Sequence, residues 1–599
     1  MKNRDTIAIL DFGGQYTHLI ANRIRRLEVY SEILPADSAP EALKDFKGII
    51  ISGGPYSVID PDSPAIDPKI LELGIPVLGL CYGHQLIAKI LGGTVKKGAY
   101  REYGIAHMKI LNEGPLFEGL DDEQEIWMSH GDSVDRLPEG FEILASTPDC
   151  AATAVGNHSR QIYGLQFHPE VTHTPKGMDI LSNFISICKC KRSWNPKAFV
   201  EEIAKDIRTR CKGKKVFLLV SGGVDSTVAF TLLNQVLGPH RVLGLHVDNG
   251  LMRKDESETI MEYLHSHGFN NLKIEDATDD FLGGLDGIAD PEKKREIIGA
   301  LFIETKEKAE QKLEFNIDEW LLGQGTIYPD TIESAGTQHA DKIKTHHNRV
   351  DIILELIKRG AVIEPLAQLY KDEVRMLGEE LTLPHSLVWR HPFPGPGLGV
   401  RVLCSDRTEE NVDPSVVQQA EKIAKPQGYR VRVLPVRSVG VQGDSRSYAH
   451  PALLTGPKNW DALEKLSTVL TNRVSGINRV IYNLSSEDSP YTLIKAFLTR
   501  ERLDLLREID HLVTETLKHH NEYDRIWQMP VVLLPLVNKS GEQCVVLRPV
   551  LSQEAMTARF APLSEKALAA IVEGAAKIRG IGPLFFDVTN KPPGTIEWE

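Results

Sequence analysis

IPVLGLCYGHQLIAKIL, residues 75–91, is a short apolar run that ends in a glycine turn and is followed at once by a helix-like stretch. The same rhythm occurs earlier in TIAILDFGG (residues 6–14) and KGIIISGGP (residues 47–55). Short buried strands that end in glycine turns before helices are typical of a parallel sheet covered by helices on both faces. The sequence therefore predicts a doubly wound α/β domain over residues 1–190.

A second doubly wound α/β domain is predicted over residues 195–392. The strand-and-helix rhythm stops near CKCKRSWNPK (residues 188–197) and begins again at KKVFLLVSGG (residues 214–223). RVLGLHVDNG (residues 241–250) continues it. Two successive parallel sheets are the simplest arrangement of such a pattern.

The texture changes at HPFPGPGLGVRVL, residues 391–403, which is too rich in Pro and Gly for a central strand or a helix. Later strand-like and helix-like segments lack glycine turns of the earlier kind. We therefore predict an α+β domain over residues 393–599. An internal duplication would divide it into two similar units, about 393–487 and 488–599.

Two pairs of segments support the duplication. LPVRSVGV (residues 434–441) resembles MPVVLLPL (residues 529–536) at an offset of 95, and GINRVIYNL (residues 476–484) resembles GIGPLFFDV (residues 580–588) at an offset of 104. Two such units side by side would form a pseudo-twofold pair within one chain. Chance similarity is the alternative.

Composition limits the function classes of the 599-residue chain. With 42% hydrophobic and 25% charged residues it is ordinary for globular protein, and no apolar run approaches the ~18 residues of a membrane-spanning helix. The net charge of −13 argues against a nucleic-acid partner held by a global positive field. Only seven scattered Cys and no secretory apolar region indicate a cytoplasmic protein with small anionic substrates.

Cys81 is the candidate nucleophile of the first domain. Gly79 and Gly83 flank it at the two positions where a sharp strand-to-helix turn needs small residues, and the helix N-terminus there favours a thiolate. His168 and Glu170, two residues apart, would project to one side of an extended strand end and complete a Cys/His/Glu relay for acyl transfer. A buried structural Cys and a surface His/Glu pair on an edge strand are the alternatives.

The motifs SGGP (52–55), GLCYGHQ (79–85) and LQFHPE (165–170), in this order and spacing, resemble those of class I, triad-type glutamine amidotransferases. The resemblance extends over about the first 190 residues. It implies that the cysteine attacks the glutamine carboxamide, forms a glutamyl thioester and releases ammonia. The N–H groups of Gly54 and Tyr82 would then hold the oxyanion.

A phosphate-binding loop is predicted where the strand KKVFLLV meets a helix. Its backbone N–H groups and the helix dipole can converge on an anion. The loop lacks the Lys of the common nucleotide loop and carries Asp225, which would repel phosphate unless Mg²⁺ lay between them. A merely tight turn is the alternative. The predicted ATP-binding residues of the loop are Ser221, Gly222, Gly223, Val224, Asp225, Ser226 and Thr227.

SGGVDST (221–227) resembles the pyrophosphate loop of N-type ATP pyrophosphatases, which cleave ATP between the α and β phosphates and adenylate a carbonyl oxygen. LHVDNG (245–250) resembles that family's adenosine-side segment, which adds Val247 to the ATP site. With an amidotransferase fused ahead of it, the chain resembles the glutamine-hydrolysing GMP synthetase family end to end. The resemblance implies that ammonia from glutamine aminates xanthosine 5′-monophosphate (XMP) after MgATP has adenylated it, without an organic prosthetic group.

The same resemblance implies the remaining site residues. The loop-like stretch over about 324–350 would be a mobile lid that brings charged groups to the triphosphate, and cationic forks with directional donors would bind XMP. Solvated surface residues are the alternative for each of them. The lid residues are Asp330, Glu333, Lys344, His346 and His347, and the XMP residues are Arg295, Asp444, Arg446, Gln528, Lys591 and Glu597.

One departure from the usual bacterial pattern is NRVDIILELIKRGAVIEP (348–365), which resembles the long, eukaryotic-type enzymes. Shorter relatives form dimers through one copy of the C-terminal unit, so a duplicated unit makes a monomer feasible, while a homodimer stays possible. Two rival interpretations are another acceptor for the same phosphate loop, as in NAD synthetase, asparagine synthetase or tRNA-thiolating enzymes, and a degenerate scaffold that binds nucleotides or protein partners.

Overall fold

The computed structural model describes residues 4–312, 319–335, 360–442, 445–485, 490–552 and 557–599. The chain divides into two compact units. The first comprises Met1–Ile203, Thr326–Glu355 and Leu366–Leu377, and the second comprises Ala204–Gly325, Leu356–Pro365 and Gly378–Glu599. Among the described residues, no helix is both long enough and apolar enough to span a bilayer.

Strands and helices follow one another along both units. The strands are β1 (Thr6–Asp11), β2 (Tyr30–Pro35), β3 (Gly48–Ile51), β4 (Val77–Leu80), β5 (Thr94–Ile110), β6 (Glu123–Arg136), β7 (Glu142–Ser146), β8 (Ala154–Asn157), β9 (Ile162–Leu165), β10 (Lys215–Leu219), β11 (Val242–Asp248), β12 (Leu272–Asp276), β13 (Trp320–Gly323), β14 (Val362–Ile363), β15 (Arg430–Val433), β16 (Ser438–Gln442), β17 (Ser445–Thr455), β18 (Ile477–Asn483), β19 (Thr492–Leu493), β20 (Val531–Val537), β21 (Gln543–Leu547), β22 (Val550–Leu551), β23 (Arg559–Phe560) and β24 (Ile581–Asp587). The helices are α1 (Thr17–Arg26), α2 (Pro40–Leu43), α3 (Tyr82–Ile90), α4 (Gly177–Ile187), α5 (Pro196–Cys211), α6 (Val224–Leu237), α7 (Glu256–Ser266), α8 (Thr278–Gly284), α9 (Pro291–Lys312), α10 (Tyr328–Ala335), α11 (Lys371–Glu380), α12 (His385–Val388), α13 (Pro414–Ala424), α14 (Trp460–Arg473), α15 (Arg500–His519) and α16 (Glu565–Ala575).

The first unit is built on a nine-stranded sheet in the order β2-β1-β3-β4-β9-β8-β7-β5-β6. The five strands β2, β1, β3, β4 and β9 pair in parallel. Strands β8, β7, β5 and β6 extend the sheet beyond β9 with antiparallel pairs. Ile7 and Ile9 of β1 belong to one apolar cluster, and Ala8 and Leu10 belong to another. Alternate residues thus face opposite sides, and both faces are buried. The predicted parallel α/β core is present, and the antiparallel half was not predicted.

The second unit contains a five-stranded parallel sheet in the order β12-β11-β10-β13-β14. The first strand in sequence, β10, lies in the middle, with β11 on one side and β13 on the other. The chain therefore reverses its direction of progress across the sheet at β10. Ligands of open parallel sheets bind at such a switch point, beyond the carboxyl ends of the strands, and the predicted phosphate loop follows β10 there.

The Pro- and Gly-rich segment at 391–401 packs tightly within the second unit. Leu398 N donates to Leu251 O at 2.7 Å. Gly397 has φ +63°, and a Cβ at this position would lie 2.4 Å from the same carbonyl oxygen. The segment contains only a short 3-10 helix, Gly397–Val400, and its glycines allow a close approach of two backbone segments.

The C-terminal part of the second unit forms a sheet in the order β15-β17-β18-β24-β21-β20-β19. The two central strands, β18 and β24, pair antiparallel. On either side the next pairing is parallel, β18 with β17 and β24 with β21, and the one after it is antiparallel, β17 with β15 and β21 with β20. Tyr482 lies opposite Phe586, which is its equivalent at the offset of 104. The strand order thus has an approximate twofold symmetry about the central pair.

The two predicted sequence pairs fit this symmetry differently. Residues 476–484 and 580–588 enclose the two central strands, as expected. Residues 529–536 cover most of β20, and the strand equivalent to β20 in the symmetric order is β15. However, β15 ends before residue 434. Residues 434–441 instead lead into β16, which pairs with β17. The offset of 95 therefore does not match equivalent strands. The internal duplication stays a prediction.

Candidate active sites

Cys81 forms the turn between β4 and α3, with φ +49° and ψ −101°. The two flanking glycines are required by close approaches: a Cβ at Gly79 would lie 2.5 Å from the Gly83 carbonyl carbon, and a Cβ at Gly83 would lie 2.3 Å from Ile51 O. Cys81 N donates to Leu165 O at 2.7 Å, which fixes the turn to β9. The structure therefore has the sharp elbow that the sequence predicts.

The Cys81 side chain reaches a cleft of about 210 Å³ in the first unit. Three glycine-rich turns and the start of α1 form its wall. Gly53 lies closest to the reacting groups, because a Cβ there would lie 3.3 Å from His168 Cε1 and 3.7 Å from Cys81 Cβ. The lining residues are Gly13, Gly14, Gln15, Tyr16, Thr17, Gly53, Gly54, Pro55, Cys81, Ser129 and His168.

The structure brings His168 and Glu170, the predicted relay partners of Cys81, together at the same cleft. The distance from His168 Nδ1 to Glu170 Oε1 is 2.7 Å, and both side chains are buried. Burial alone would lower the pKa of His168, but the Glu170 charge and a hydrogen bond with Cys81 raise it from 6.5 to about 10. His168 is therefore an imidazolium beside the sulfur at neutral pH.

The local backbone differs from the prediction for this pair. Strand β9 ends at Leu165, and His168 and Glu170 lie in the irregular segment after it, where Pro169 and Glu170 form a turn. The two side chains meet through this turn rather than along an extended strand. Thr174 Oγ1 donates to His168 O at 2.7 Å, so the turn is held without strand pairing.

The two predicted oxyanion donors lie in different turns of the first unit. Gly54 lines the cleft, and a Cβ there would lie 2.7 Å from Phe12 O. Tyr82 is the first residue of α3, where backbone N–H groups lack partners within the helix. The Tyr82 ring itself is buried, and its hydroxyl donates to Pro64 O.

Tyr16 was missed by the sequence argument. Its ring packs edge-on against the ring of His168, with centroids 5.1 Å apart. Burial raises the pKa of Tyr16, and the negative charge of Glu170 adds to this effect. Its place in FGGQY, directly after β1, was the only available signal.

The predicted phosphate loop joins β10 to α6 in the second unit. Gly222 has φ +75°, and the loop is held by short side-chain contacts: Ser221 Oγ lies 3.0 Å from Ser226 Oγ, and Thr227 Oγ1 donates to Gly223 O at 2.8 Å. Helix α6 begins at Val224, so the N–H groups of its first turn follow the loop directly. Asp225 lies half-buried in this turn, and Val247 is buried in β11.

His246 supports the base of this loop and was not predicted. It is fully buried, its Nδ1 lies 2.7 Å from Val220 O, and its Nε2 lies 3.0 Å from Ser257 Oγ. Because a carbonyl only accepts, Nδ1 carries a proton and donates to Val220 O. A single polar residue inside the apolar run LGLHV was the available signal.

Two of the predicted XMP residues contact each other. Gln528 Nε2 donates to Glu597 Oε1 at 2.9 Å. Arg401, which is fully buried and ends the HPFPGPGLGVR segment, holds the same carboxylate through Nε at 3.1 Å and Nη2 at 2.9 Å. Burial alone would lower the pKa of Arg401, but Glu597 raises it. Arg401 was not among the predicted residues.

The remaining XMP residues are placed as follows. Arg295 donates from Nη1 to Glu292 at 2.9 Å and from Nη2 to Glu599 O. Lys591 is half-buried, and burial and the nearby Arg548 charge lower its pKa. Arg446 lies in β17 opposite Val441, and Asp444 lies outside the described residues.

A buried charge cluster holds the chain segment that carries Glu597. Arg479 and Arg548, both fully buried, share Asp587 at 3.0 and 2.9 Å. Arg479 Nη2 donates to Glu597 O at 2.8 Å, and Arg548 Nε donates to Ile596 O at 3.0 Å. Burial and then the Arg548 charge lower the pKa of Arg479 to about 9. Residues 595–597 are thus fixed by charge-assisted hydrogen bonds.

The lid prediction is partly corrected. Residues 328–335 form α10, although the sequence was expected to be loop-like over 324–350. Pro329 in the first turn and Asp330, whose Oδ2 accepts from Ile327 N at 3.2 Å, explain the helix start. Glu333 lies in this helix, and Lys344, His346 and His347 lie outside the described residues.

The first unit also contains a buried ion pair that sequence analysis missed. Arg25 of α1 and Glu373 of α11 lie 3.0 Å apart, and Trp194 Nε1 donates to the same carboxylate at 2.5 Å. Burial alone would lower the pKa of Arg25, but Glu373 raises it. The partners are 348 residues apart, and no local pattern indicates such a contact.

Family models match three stretches of the chain: glutamine amidotransferase class-I at residues 8–188, NAD synthase at 197–286 and GMP synthase C terminal domain at 515–598. Together with the two sites, these matches define an ATP-using synthetase with its own glutamine amidotransferase. Among solved structures, a glutamine amidotransferase from Thermotoga maritima aligns with 34% of this chain and 86% of its own at 20% identity and a TM-score of 0.24.

Curated relatives match 81–99% of this chain. A protein of Leptospira interrogans named as a probable glutamine-hydrolysing GMP synthase is 46% identical over 602 residues, which cover 99% of each chain. One from Caenorhabditis elegans is 37% identical over 689 residues, 99% of this chain and 92% of its own, and one from Syntrophomonas wolfei is 43% identical over 512 residues, 81% and 98%. The chain belongs to the glutamine-hydrolysing GMP synthase family.

Proposed function

We propose that this chain makes GMP from XMP, glutamine and ATP, as a carbon–nitrogen ligase of guanine nucleotide synthesis. ATP adenylates the C2 oxygen of the xanthine ring and releases pyrophosphate. Ammonia from glutamine then adds at C2, and AMP leaves. Adenylation is needed because the unmodified C2 oxygen is a poor leaving group, and water must be kept from the activated intermediate.

In the amidotransferase half, Cys81 is the proposed nucleophile. Its thiolate adds to the glutamine carboxamide carbon, and N–H groups of Gly54 and Tyr82 hold the oxyanion. The imidazolium of His168 gives its proton to the leaving nitrogen, so that the C–N bond breaks, ammonia leaves and a thioester remains. Neutral His168 then takes a proton from the attacking water, and the thiolate leaves. Glu170 orients the ring throughout and favours its protonated form.

In the synthetase half, the loop from Ser221 to Thr227 would bind the ATP phosphates with its N–H groups and hydroxyls, and Val247 would face the adenosine. ATP is used with a divalent metal ion, for which we propose Mg²⁺. The described residues contain no cluster of three or more His, Cys, Asp or Glu side chains that could hold a metal ion alone. Phosphate oxygens would therefore supply most ligands, with Asp225 beside them, and the ion would neutralise the phosphate charge.

For XMP, Glu597 is the best-supported predicted residue. Arg401 and Gln528 fix its carboxylate, which would accept hydrogen bonds from the purine ring. Arg295 and Lys591 would meet the monophosphate, because an anion needs cationic donors. Asp444 and Arg446 stay with them as proposed XMP residues on the sequence argument alone.

The lid assignment rests on the sequence resemblance. Asp330 and Glu333 belong to α10, and Lys344, His346 and His347 would approach the triphosphate. We also propose a cytoplasmic enzyme without a nucleic-acid or membrane partner. A monomer is the proposed state, because the C-terminal sheet has the twofold strand order of a pair within one chain. Sedimentation as a dimer at nanomolar concentration would contradict this.

The proposal rests on one observation: Cys81, His168 and Glu170 meet at one cleft, and a glycine-rich strand-to-helix loop follows β10, in one chain whose relatives include GMP synthases that match 99% of it. The NAD synthase model covers only residues 197–286, whereas the GMP synthase C-terminal model covers 515–598, which favours XMP over the rival acceptors. When the protein is mixed with XMP, MgATP and glutamine, XMP should be consumed, and the decrease in its absorbance measures the reaction. Cys81→Ala should abolish this reaction with glutamine, and ammonium should restore it.

A further inference from the structure

Besides His168, Gln166 also places a hydrogen-bond donor against the sulfur of Cys81. Its side chain is fully buried, and its Nε2 lies 3.7 Å from Cys81 Sγ, within the range of an N–H···S hydrogen bond. Cys81 Sγ also lies 3.5 Å from Ser129 O. A carbonyl can accept only from the thiol form, whereas an amide N–H stabilises the thiolate form. The two contacts therefore favour opposite protonation states of one sulfur.

The orientation of the Gln166 amide follows from its neighbour Gln85. One nitrogen, Gln85 Nε2, donates to Asp132 O at 2.7 Å and to Gln166 Oε1 at 3.1 Å. The Asp132 carbonyl only accepts, so the Gln85 atom facing it must be the nitrogen. The Gln166 atom facing that nitrogen must then be the oxygen. Its own N–H group therefore faces the sulfur, and the opposite amide orientation would place two donors against each other.

We propose that Gln166 is a thiolate-stabilising residue of the amidotransferase site, and that Gln85 acts through it as a positioning residue. This rests on the proposed role of Cys81. Gln166 donates to the sulfur both before attack on glutamine and when the thiolate leaves the glutamyl thioester. Because it is buried beneath the cleft, it does so without contacting bulk solvent. No bond to Gln166 forms or breaks in either step.

The test is the pH dependence of Cys81 alkylation by iodoacetamide, followed on the Cys81 peptide by mass spectrometry without glutamine. Gln166→Met removes the donor at similar volume and should raise the pH midpoint by about one unit, the effect of one hydrogen bond to a charged group. The plateau rate at high pH should stay within about twofold. Gln166→Glu, which has the same shape but places an acceptor at the sulfur, should raise the midpoint further.

Two more variants separate this role from packing. Gln85→Met leaves Gln166 intact but frees its amide to turn, so the midpoint should rise by less than in Gln166→Met. Gln124→Met removes another buried glutamine of the same unit, whose Nε2 donates to Asp121 O at 2.8 Å, and should leave the midpoint unchanged. If packing were the only role, Gln166→Glu would be milder than Gln166→Met.

Midpoints of Gln166→Glu and Gln85→Met equal to that of the unaltered protein would overturn the inference. Its failure is distinguishable from failure of the proposed function. If Cys81→Ala loses glutamine-dependent XMP consumption and keeps the ammonium-dependent reaction, the function stands whatever the midpoints are. If Cys81→Ala still uses glutamine, the proposed function itself is wrong. Unchanged thermal unfolding of Gln85→Met shows that its midpoint comes from a folded protein.

Discussion

Replacing Glu170 by Gln should convert His168 from an imidazolium to a neutral ring at neutral pH. The Glu170 carboxylate lies 2.7 Å from Nδ1 and, together with the hydrogen bond to Cys81, raises the pKa of His168 from 6.5 to about 10 against the effect of burial. The difference corresponds to about 5 kcal/mol between the two protonation states. Without this charge the pKa of His168 loses its largest raising contribution while burial persists, so we expect it to fall towards its ordinary value.

The sign of the pH dependence follows from a raised pKa. Stability contributed by His168 is fully present below pH 6.5 and is lost as the pH rises through about 10. The glutaminase rate should fall over the same alkaline range. In Glu170→Gln this fall should move to about pH 6.5, and the rate at pH 8 should drop by about 10²–10⁴-fold, as in other relays that lose their carboxylate.

The assay compares glutamine-dependent with ammonium-dependent XMP consumption between pH 6 and pH 10.5. Only the glutamine-dependent rate should respond to Glu170→Gln. Glu142→Gln is the matched control, because Glu142 Oε1 lies 3.2 Å from His158 Nε2 in a partly exposed pair of the same unit. An alkaline limb that stays near pH 10 in Glu170→Gln would refute the charge argument.

Two further predictions concern the second unit. Gly222→Ala should raise the KM for ATP and destabilise the protein by about 1–3 kcal/mol, because φ is +75° and the new Cβ would lie 2.5 Å from an isoleucine methyl group. ATP titration measures the first effect and urea unfolding the second. An unchanged KM for ATP would contradict the assignment of this loop to the ATP site. Arg401→Met should leave the Glu597 carboxylate without its main partner, cost about 3–5 kcal/mol and raise the KM for XMP more than tenfold, while glutaminase activity without XMP stays unchanged. Equal KM values for XMP in the variant and the unaltered protein would remove Glu597 from the proposed site.

The sequence predicted those features whose cause is local. The glycines around Cys81 and in the 221–227 loop are required by the backbone shape of each turn, so their spacing was sufficient to predict a sharp elbow and a tight strand-to-helix loop. Helix α10 was missed because its charged residues were assigned to a loop-like lid, although Pro329 fits a first helical turn.

Features that depend on distant partners were not predictable in this way. Gln85 contacts Gln166 across 81 residues, and Arg401 contacts Glu597 across 196. Each side chain alone could equally be a solvated surface group. The sequence match at an offset of 95 in the C-terminal half was misleading for a related reason. Similar residues in β20 and near β16 do not show which strands these segments pair with.

The position of β24 in the C-terminal sheet affects how this part of the protein is made. β24 follows every other strand of that sheet in sequence, yet it lies at the centre, between β18 and β21. Until residues 581–587 leave the ribosome, both neighbours expose unpaired N–H and C=O groups along apolar strands. A chain that ends before residue 581 would expose two unpaired strand edges, those of β18 and β21. Premature termination before β24 should therefore yield aggregates rather than a smaller soluble protein.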